Sequence, residues 1–277
     1  MVIVYANGQW VNENDAVIPV DERGHQFGDG IYEVTRIYEG KPFMMREHVE
    51  RLVKSAKEIR MDLGMTVEEV ESLMMEAVER SGEKNCDVYI QITRGIAKRG
   101  HLFPKDVKPS ITMTVRPMEV IAMEERLAGK TAIFHEDERW KNCYIKSLNL
   151  LPNILAKQVA NDAGAYEAIL IRDGYVTEGT SSNIFIVQNG ELVTRPLSNY
   201  ILAGITRMRV EQLAEQLNIP FVEREFTKED VLEAEEVFMT STTNEVLPLV
   251  EIDGTTIGSG VAGPVTERVA KQFLQTV

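Results

Sequence analysis

The sequence predicts an α+β protein with largely antiparallel sheets. Stretches that alternate apolar and polar residues come in consecutive groups joined by short turns, which is how antiparallel strands connect. Helical stripes fall between these groups. The chain has 277 residues, 44% hydrophobic and 26% charged, enough for one large domain or two of ordinary size.

The elements follow in order. A hairpin opens the chain, with Val2 to Tyr5 and Trp10 to Val11 flanking Asn7-Gly8, a favoured two-residue turn. Residues 44–61 set Met45, Val49, Leu52, Ala56 and Ile59 at helical spacing. A second helix starts at Thr66, where Thr66 and Glu69 have the spacing of a capping box, and stops at Gly82. Residues 87–94 put Val88, Ile90 and Ile92 on one strand face, and residues 110–115 do the same with Ile111, Met113 and Val115. Residues 118–124 lose the strand pattern after Pro117 and read as a linker between domains at 1–117 and 125–277.

Beyond it, strands fit 131–136, 167–172, 184–188, 191–194 and 236–240, with Asn189-Gly190 turning one hairpin. Helices fit 150–162, 206–218, 228–234 and 264–275, with Pro152 and Pro264 in first turns, where a missing N–H does no harm. There is no repeat period and no low-complexity tract.

Bulk charge narrows the function classes. A formal net charge of −13 disfavours nucleic acid and anionic membrane as partners. Cys86 and Cys143 form no close pair, so a reducing cytoplasm is expected rather than a disulfide framework. The first residues do not have the pattern of a signal peptide, and no apolar run is long enough to span a bilayer. His25, His48, His101 and His135 are scattered and no HExxH occurs, so no metal site is expected. Gly28-Asp29-Gly30 lacks the third glycine of a dinucleotide loop, and there is no Gly-x-Ser-x-Gly elbow.

Six places can carry chemistry. Lys146 lies in Tyr144-Ile145-Lys146-Ser147-Leu148-Asn149-Leu150-Leu151, just before a helix. A lysine in apolar surroundings is more readily neutral and attacks carbonyls, although a snorkelling lysine on a loop has the same pattern. Glu178 lies in Val176-Thr177-Glu178-Gly179-Thr180-Ser181-Ser182-Asn183. It suits either a partner for a pyridine nitrogen or a small-residue turn. Gly204-Ile205-Thr206 opens a helix and offers N–H groups to an anion, or is an ordinary cap. Ser241-Thr242-Thr243 adds hydroxyls at a strand end. Arg51 has Glu47 four residues earlier as a surface ion-pair partner. Arg94, Arg99 and His101, set among glycines in Thr93–Pro104, form the one strongly basic patch, either a carboxylate or phosphate receptor or a solvated loop.

Taken together, Asp21–Glu33, Thr93–Pro104, Arg139-Trp140, Ile145–Leu151, Thr177–Asn183, Gly204–Arg207 and Thr240–Glu245 resemble the fold-type-IV pyridoxal-phosphate enzymes. That family comprises D-amino acid aminotransferases, branched-chain aminotransferases and aminodeoxychorismate lyases. The resemblance runs over nearly the whole chain and implies a two-domain α+β enzyme with the cofactor-binding domain over 125–277. It implies that Lys146 forms the internal aldimine and moves the proton, Glu178 pairs with the pyridine nitrogen, and Arg139 orders Glu178. Arg51, Ile205, Thr206 and Thr242 would bind the phosphate, Leu202 would pack on the ring, and Ser181 and Ser182 would lie close by. Tyr32, Arg99 and His101 would hold the substrate α-carboxylate, the last two from the partner subunit of a homodimer.

The Arg99-Gly100-His101 spacing points to the D-specific branch, with Gly100 adding backbone freedom. The expected activity is ping-pong transfer of an amino group from a D-amino acid such as D-alanine to a 2-oxo acid such as 2-oxoglutarate. The alternatives are a branched-chain L-aminotransferase, an amine transaminase or a lyase on the same site, and a non-catalytic metabolite binder.

Overall fold

The computed structural model describes residues 3–277, so Val2 of the expected hairpin lies outside the described residues. The chain divides into two compact units. One holds the residues up to Glu119 together with Ile145–Asn149, and the other holds Val120–Tyr144 with Leu150–Val277.

In the first unit, β1 (Ile3–Ala6) and β2 (Gln9–Asn12) form the expected hairpin. Its turn residues Asn7 and Gly8 take φ of 48° and 91°, the left-handed region that Asn and Gly tolerate best. Then come α1 (Arg23–Phe27), β3 (Gly30–Tyr38), β4 (Lys41–Pro42), α2 (Met45–Glu58), α3 (Val67–Ser81), β5 (Cys86–Thr93) and β6 (Ser110–Pro117). The strands form one antiparallel sheet in the order β2-β1-β6-β5-β3-β4. Val49, Leu52 and Ala56 of α2 and Val70, Met74 and Ala77 of α3 share one core with Val88, Ile90 and Ile92 of β5 and Met113 and Val115 of β6. The capping box at Thr66 is present with both bonds, and Gly82 ends α3 at φ 72°.

Three elements here were not expected: α1, β3 and the two-residue β4. α1 is only five residues long, too short to show a period. β3 is central, pairing with both β4 and β5, yet its polar residues Glu33, Thr35 and Arg36 are as buried as its apolar ones. That removes the polarity alternation by which a strand is recognised. The segment Ile145–Asn149 runs beside β3: Tyr32 N–H donates to Lys146 O (3.1 Å) and Leu148 N–H to Gly30 O (3.0 Å).

The second unit runs α4 (Met123–Ala128), β7 (Lys130–Glu136), α5 (Leu151–Asp162), β8 (Glu167–Arg172), β9 (Tyr175–Gly179), β10 (Asn183–Gln188) and β11 (Glu191–Thr194). It continues with α6 (Ile205–Gln216), β12 (Phe221–Glu223), α7 (Lys228–Leu232), β13 (Glu236–Ser241), β14 (Glu245–Ile252), β15 (Thr255–Thr256) and α8 (Pro264–Leu274). The sheet order is β12-β11-β10-β13-β14-β7-β8-β9, with β15 beside β14. The pairs β11–β12, β14–β7 and β7–β8 are parallel, so this sheet is more mixed than the sequence suggests. Ile184 and Ile186, Val237 and Met239, and Leu247 and Leu249 fill its core.

The expected linker at 118–124 runs into α4, which begins at Met123. Arg126 fastens this helix from within. It is buried and donates to Asn244 O (2.6 Å), Val246 O (3.0 Å) and the Glu245 carboxylate (2.5 Å). A buried arginine at that place gives no apolar signal. β14 was missed because Pro248 sits within it, and a proline normally argues against a central strand.

Candidate active site

In the first unit, the backbone of Lys146 is pinned on both sides. Its N–H donates to Ser55 Oγ of α2 (3.1 Å), and its carbonyl accepts from Tyr32 N–H. Its Nζ lies 4.2 Å from the centroid of the Tyr32 ring, which stacks on Tyr89. One residue along β3, Glu33 is fully buried and accepts from Arg51 Nε (2.9 Å) and Nη2 (2.7 Å), with His48 Nδ1 at 3.1 Å. Burial pushes the Glu33 carboxyl up, but the charges and hydrogen bonds of Arg51 and His48 outweigh it and hold Glu33 well below the usual carboxylate range. For His48, burial dominates and lowers its proton affinity despite Glu33. Arg51 therefore pairs with Glu33 across 18 residues, not with Glu47 as its helical spacing suggests.

In the second unit, both oxygens of the buried Glu178 carboxylate are engaged. Oε1 accepts from Arg139 Nη1 (2.5 Å); Oε2 accepts from Asn183 Nδ2 (3.1 Å) and Leu202 N–H (3.0 Å). Burial pushes the Glu178 carboxyl up against the pull of Arg139 and the Leu202 N–H. Behind it, Asp137 accepts from Arg139 Nε (2.8 Å) and Nη2 (2.9 Å) and from Thr177 Oγ1 (2.8 Å), with Arg172 at 3.0 Å. Arg139 thus orders Glu178, and Asp137 orders Arg139.

From Leu202 the chain reaches α6 within three residues. The N-cap there is Gly204, so no side chain caps the first N–H groups, those of Ile205 and Thr206. A Cβ on Gly204 would collide with Asn183 Oδ1, so a side chain is excluded where Asn183 approaches. One continuous stretch therefore joins a buried carboxylate to an anion-receptive helix start. Thr242 is half-buried in the turn between β13 and β14. Ser181 is exposed, whereas Ser182 is buried and its hydroxyl donates to Glu167 Oε2 (3.0 Å).

The basic loop splits into two parts. Arg94 is buried and donates to Asp29 and to the carbonyls of Ile59 and Arg60, so it is structural. Arg99 and His101 are exposed and rest against Phe27, with the Arg99 guanidinium 4.5 Å and the His101 ring 5.7 Å from its centroid. The sequence reading missed Glu33, Asp137 and Asn183. Asn183 closes the marked stretch Thr177–Asn183 and Glu33 closes Asp21–Glu33, but neither was given a role, and Asp137 lies two residues before the marked Arg139. Cys86 and Cys143 are free and buried, and burial pushes both thiols up to about 11. Among the described residues no cluster of three metal-ligating side chains occurs, and no helix is long and apolar enough to cross a membrane.

This combination of fold and site belongs to a known class. The chain is a member of the class IV amino-transferases, whose family model matches residues 30–252. It is similar to the D-alanine aminotransferase of Bacillus licheniformis, with 46% identity over 96% of this chain and 94% of the relative. The D-alanine aminotransferase of Staphylococcus haemolyticus is 44% identical over 99% and 97%. Among solved structures, a T.th. branched-chain amino acid aminotransferase with pyridoxamine 5′-phosphate superposes with a TM-score of 0.92 at 30% identity, covering 99% of this chain and 93% of that one. The Escherichia coli branched-chain enzyme gives 0.90 at 27% identity, covering 98% and 92%.

Proposed function

We propose that this chain is a pyridoxal-phosphate-dependent transaminase that moves the amino group of a D-amino acid such as D-alanine to a 2-oxo acid such as 2-oxoglutarate. The observation that carries the reading is 42–46% identity to D-alanine aminotransferases along nearly the whole chain. The local chemistry supports it. A buried carboxylate fixed by three donors suits a pyridine nitrogen, and an uncapped helix start suits a phosphate.

When bound, pyridoxal phosphate supplies an aldehyde that takes up amino groups and a protonated ring that draws electrons from the substrate Cα. Lys146 would hold it through Nζ. As a free amine, Lys146 Nζ would be the base that takes the substrate Cα proton and the acid that gives it back. Glu178, ordered by Arg139 and Asn183, would keep the proton on the ring nitrogen. The N–H groups of Ile205 and Thr206, with Arg51 and Thr242, take the phosphate. Leu202 would pack against the ring. Ser181 and Ser182 would lie close to it, Ser182 through its backbone because its hydroxyl is engaged by Glu167. Tyr32, Arg99 and His101 hold the α-carboxylate, the last two contributed by the partner subunit of a homodimer. A reducing cytoplasm suits the two buried free thiols.

A second reading, a branched-chain L-aminotransferase, is favoured by the solved structures at TM-scores of 0.90–0.92. The test is the visible absorbance of the purified protein loaded with cofactor. D-alanine bleaches the band and L-alanine does not, and Lys146→Ala abolishes both band and turnover. Bleaching by L-substrates alone moves the chain to the second reading. A protein that takes up no cofactor, or a fully active Lys146→Ala, overturns both.

A further inference from the structure

The Arg99-Gly100-His101 triplet presents a physical problem. All three residues are exposed, and a Cβ on Gly100 would meet only Lys98 O, at 3.9 Å. A loop with that freedom would present two cationic groups in many poses, and each pose lost on binding costs entropy. The segment Asp21–Gly30, which the proposed reaction leaves without a role beyond the fold, removes the freedom.

Arg23, at the start of α1, is buried at 3% exposure. Its Nη1 donates to Gly100 O (2.7 Å) while its Nε donates to Asp29 Oδ2 (2.7 Å). One turn on, Phe27 offers its ring to the residues on either side of Gly100. The Arg99 guanidinium carbon lies 4.5 Å from the ring centroid and the His101 ring 5.7 Å, with Arg23 itself at 4.9 Å. A guanidinium over an aromatic face keeps its N–H groups in its own plane, pointing past the ring and available to a carboxylate. Among the described residues, neither Arg99 nor His101 has a side-chain hydrogen bond that would compete.

The support is itself anchored. Arg94 holds Asp29 at 2.9 Å, donates to Ile59 O and Arg60 O, and lies 3.7 Å from the Phe103 centroid. Backbone bonds lace the two segments together: Arg23 N–H to Gly95 O (2.9 Å), Arg94 N–H to Asp29 O (3.0 Å) and Ala97 N–H to Asp21 O (3.0 Å). Glu22 caps α1 through His25 N–H and also accepts from Thr93 Oγ1.

We propose that Arg23 and Phe27 are positioning residues that preset Arg99 and His101 as one receptor for the substrate α-carboxylate, and thereby set the preference between D- and L-substrates. The inference rests on the carboxylate role of Arg99 and His101 given above. Arg23 fixes the backbone between the two side chains, and Phe27 fixes the side chains themselves.

The test compares wild type, Arg23→Met, Arg23→Lys, Phe27→Leu and Arg99→Ala as cofactor-loaded proteins. Arg23→Met leaves Asp29 paired with Arg94, and Phe27→Leu keeps the apolar volume, so both should fold. Each is measured for KM and kcat with D-alanine and L-alanine, for the rate at which D-alaninol bleaches the cofactor, and for backbone hydrogen exchange over residues 97–104. Losing one charge-assisted hydrogen bond should raise KM for D-alanine about tenfold to a hundredfold. The D/L ratio should fall and exchange over 97–104 should quicken, with kcat and the D-alaninol rate, which needs no carboxylate receptor, little changed. Arg23→Lys should lie between Arg23→Met and wild type. If Arg23→Met and Phe27→Leu keep the wild-type KM and D/L ratio while Arg99→Ala loses them, the positioning role is overturned and the carboxylate role stands. Equal losses for D-alanine and D-alaninol also overturn it, because they mark general damage. An Arg99→Ala variant with unchanged KM overturns both.

Discussion

Glu33→Gln isolates the strongest electrostatic commitment in the first unit. The carboxylate is fully buried, and Arg51 grips it through Nε at 2.9 Å and Nη2 at 2.7 Å, while Oε1 also accepts from Val34 N–H at 3.0 Å. A glutamine must place its NH2 at one of the two oxygen positions. At the first it faces the Arg51 Nε–H; at the second it faces the Arg51 Nη2 and Val34 donors. Either way a donor meets a donor, and a nearly buried guanidinium loses its counter-charge. Breaking one side of such a pair costs about 3–5 kcal/mol. A domain has about 5–15 kcal/mol to lose, so the effect is large. Urea unfolding of the chain without added cofactor, followed by two independent probes, measures it. Removing the stranded cation in Glu33→Gln/Arg51→Met should recover much of the loss. A shift below about 1 kcal/mol, or a double variant no more stable than the single one, would refute the reasoning.

Other outcomes follow from the same geometry. Burial holds His48 below its ordinary range, so its stabilising share is present above the unfolded value of about 6.5 and is lost as pH falls below it. Unfolding free energy should therefore drop between about pH 7 and pH 5, and His48→Gln should flatten that drop; an equally steep profile would assign it to other groups. Glu178→Gln keeps acceptors for Asn183 and Leu202 but turns an NH2 towards Arg139, and should lower the rate of the D-alanine half-reaction about a hundredfold or more. Stopped-flow bleaching reads this rate, and an unchanged rate would remove Glu178 from the chemistry. Thr66→Ala deletes the hydroxyl that accepts from Glu69 N–H at 3.2 Å and should cost about 1 kcal/mol in urea unfolding. No loss would mean that packing alone fixes the start of α3.

What the sequence disclosed depended on contrast. α2 and α3 each bury one stripe and expose the other side, so their periods are plain in the letters. The hairpin turns at Asn7-Gly8 and Asn189-Gly190 announce themselves because few residues accept those φ values. β3 and β9 lacked contrast. β9 buries Val176, Thr177, Glu178 and Gly179 in succession, so apolar and polar letters follow one another on a strand that has no wet face. Candidate site residues could be marked wherever one residue type at one position implied chemistry, as at Lys146, Glu178 and the start of α6. Their supports were not legible, because Glu33 meets Arg51 across 18 residues and Arg23 meets Gly100 across 77, separations with no periodic trace.

Those supports share a logic that net charge conceals. The chain carries −13, yet the buried Arg139, Arg23 and Arg94 and the nearly buried Arg51 are each matched to a carboxylate: Arg51 to Glu33, Arg139 to Asp137 and Glu178, and both Arg23 and Arg94 to Asp29. Pairing offsets the cost of burying these groups and fixes their positions, but it also cancels their fields beyond a few ångströms. They can orient neighbouring groups and cannot attract a distant anion. Arg99 differs, because an aromatic ring holds it in place without neutralising it. A chain whose overall field repels anionic substrates needs its uncompensated positive charge concentrated at the point of contact, and a cation supported on a ring meets that need where an ion pair could not.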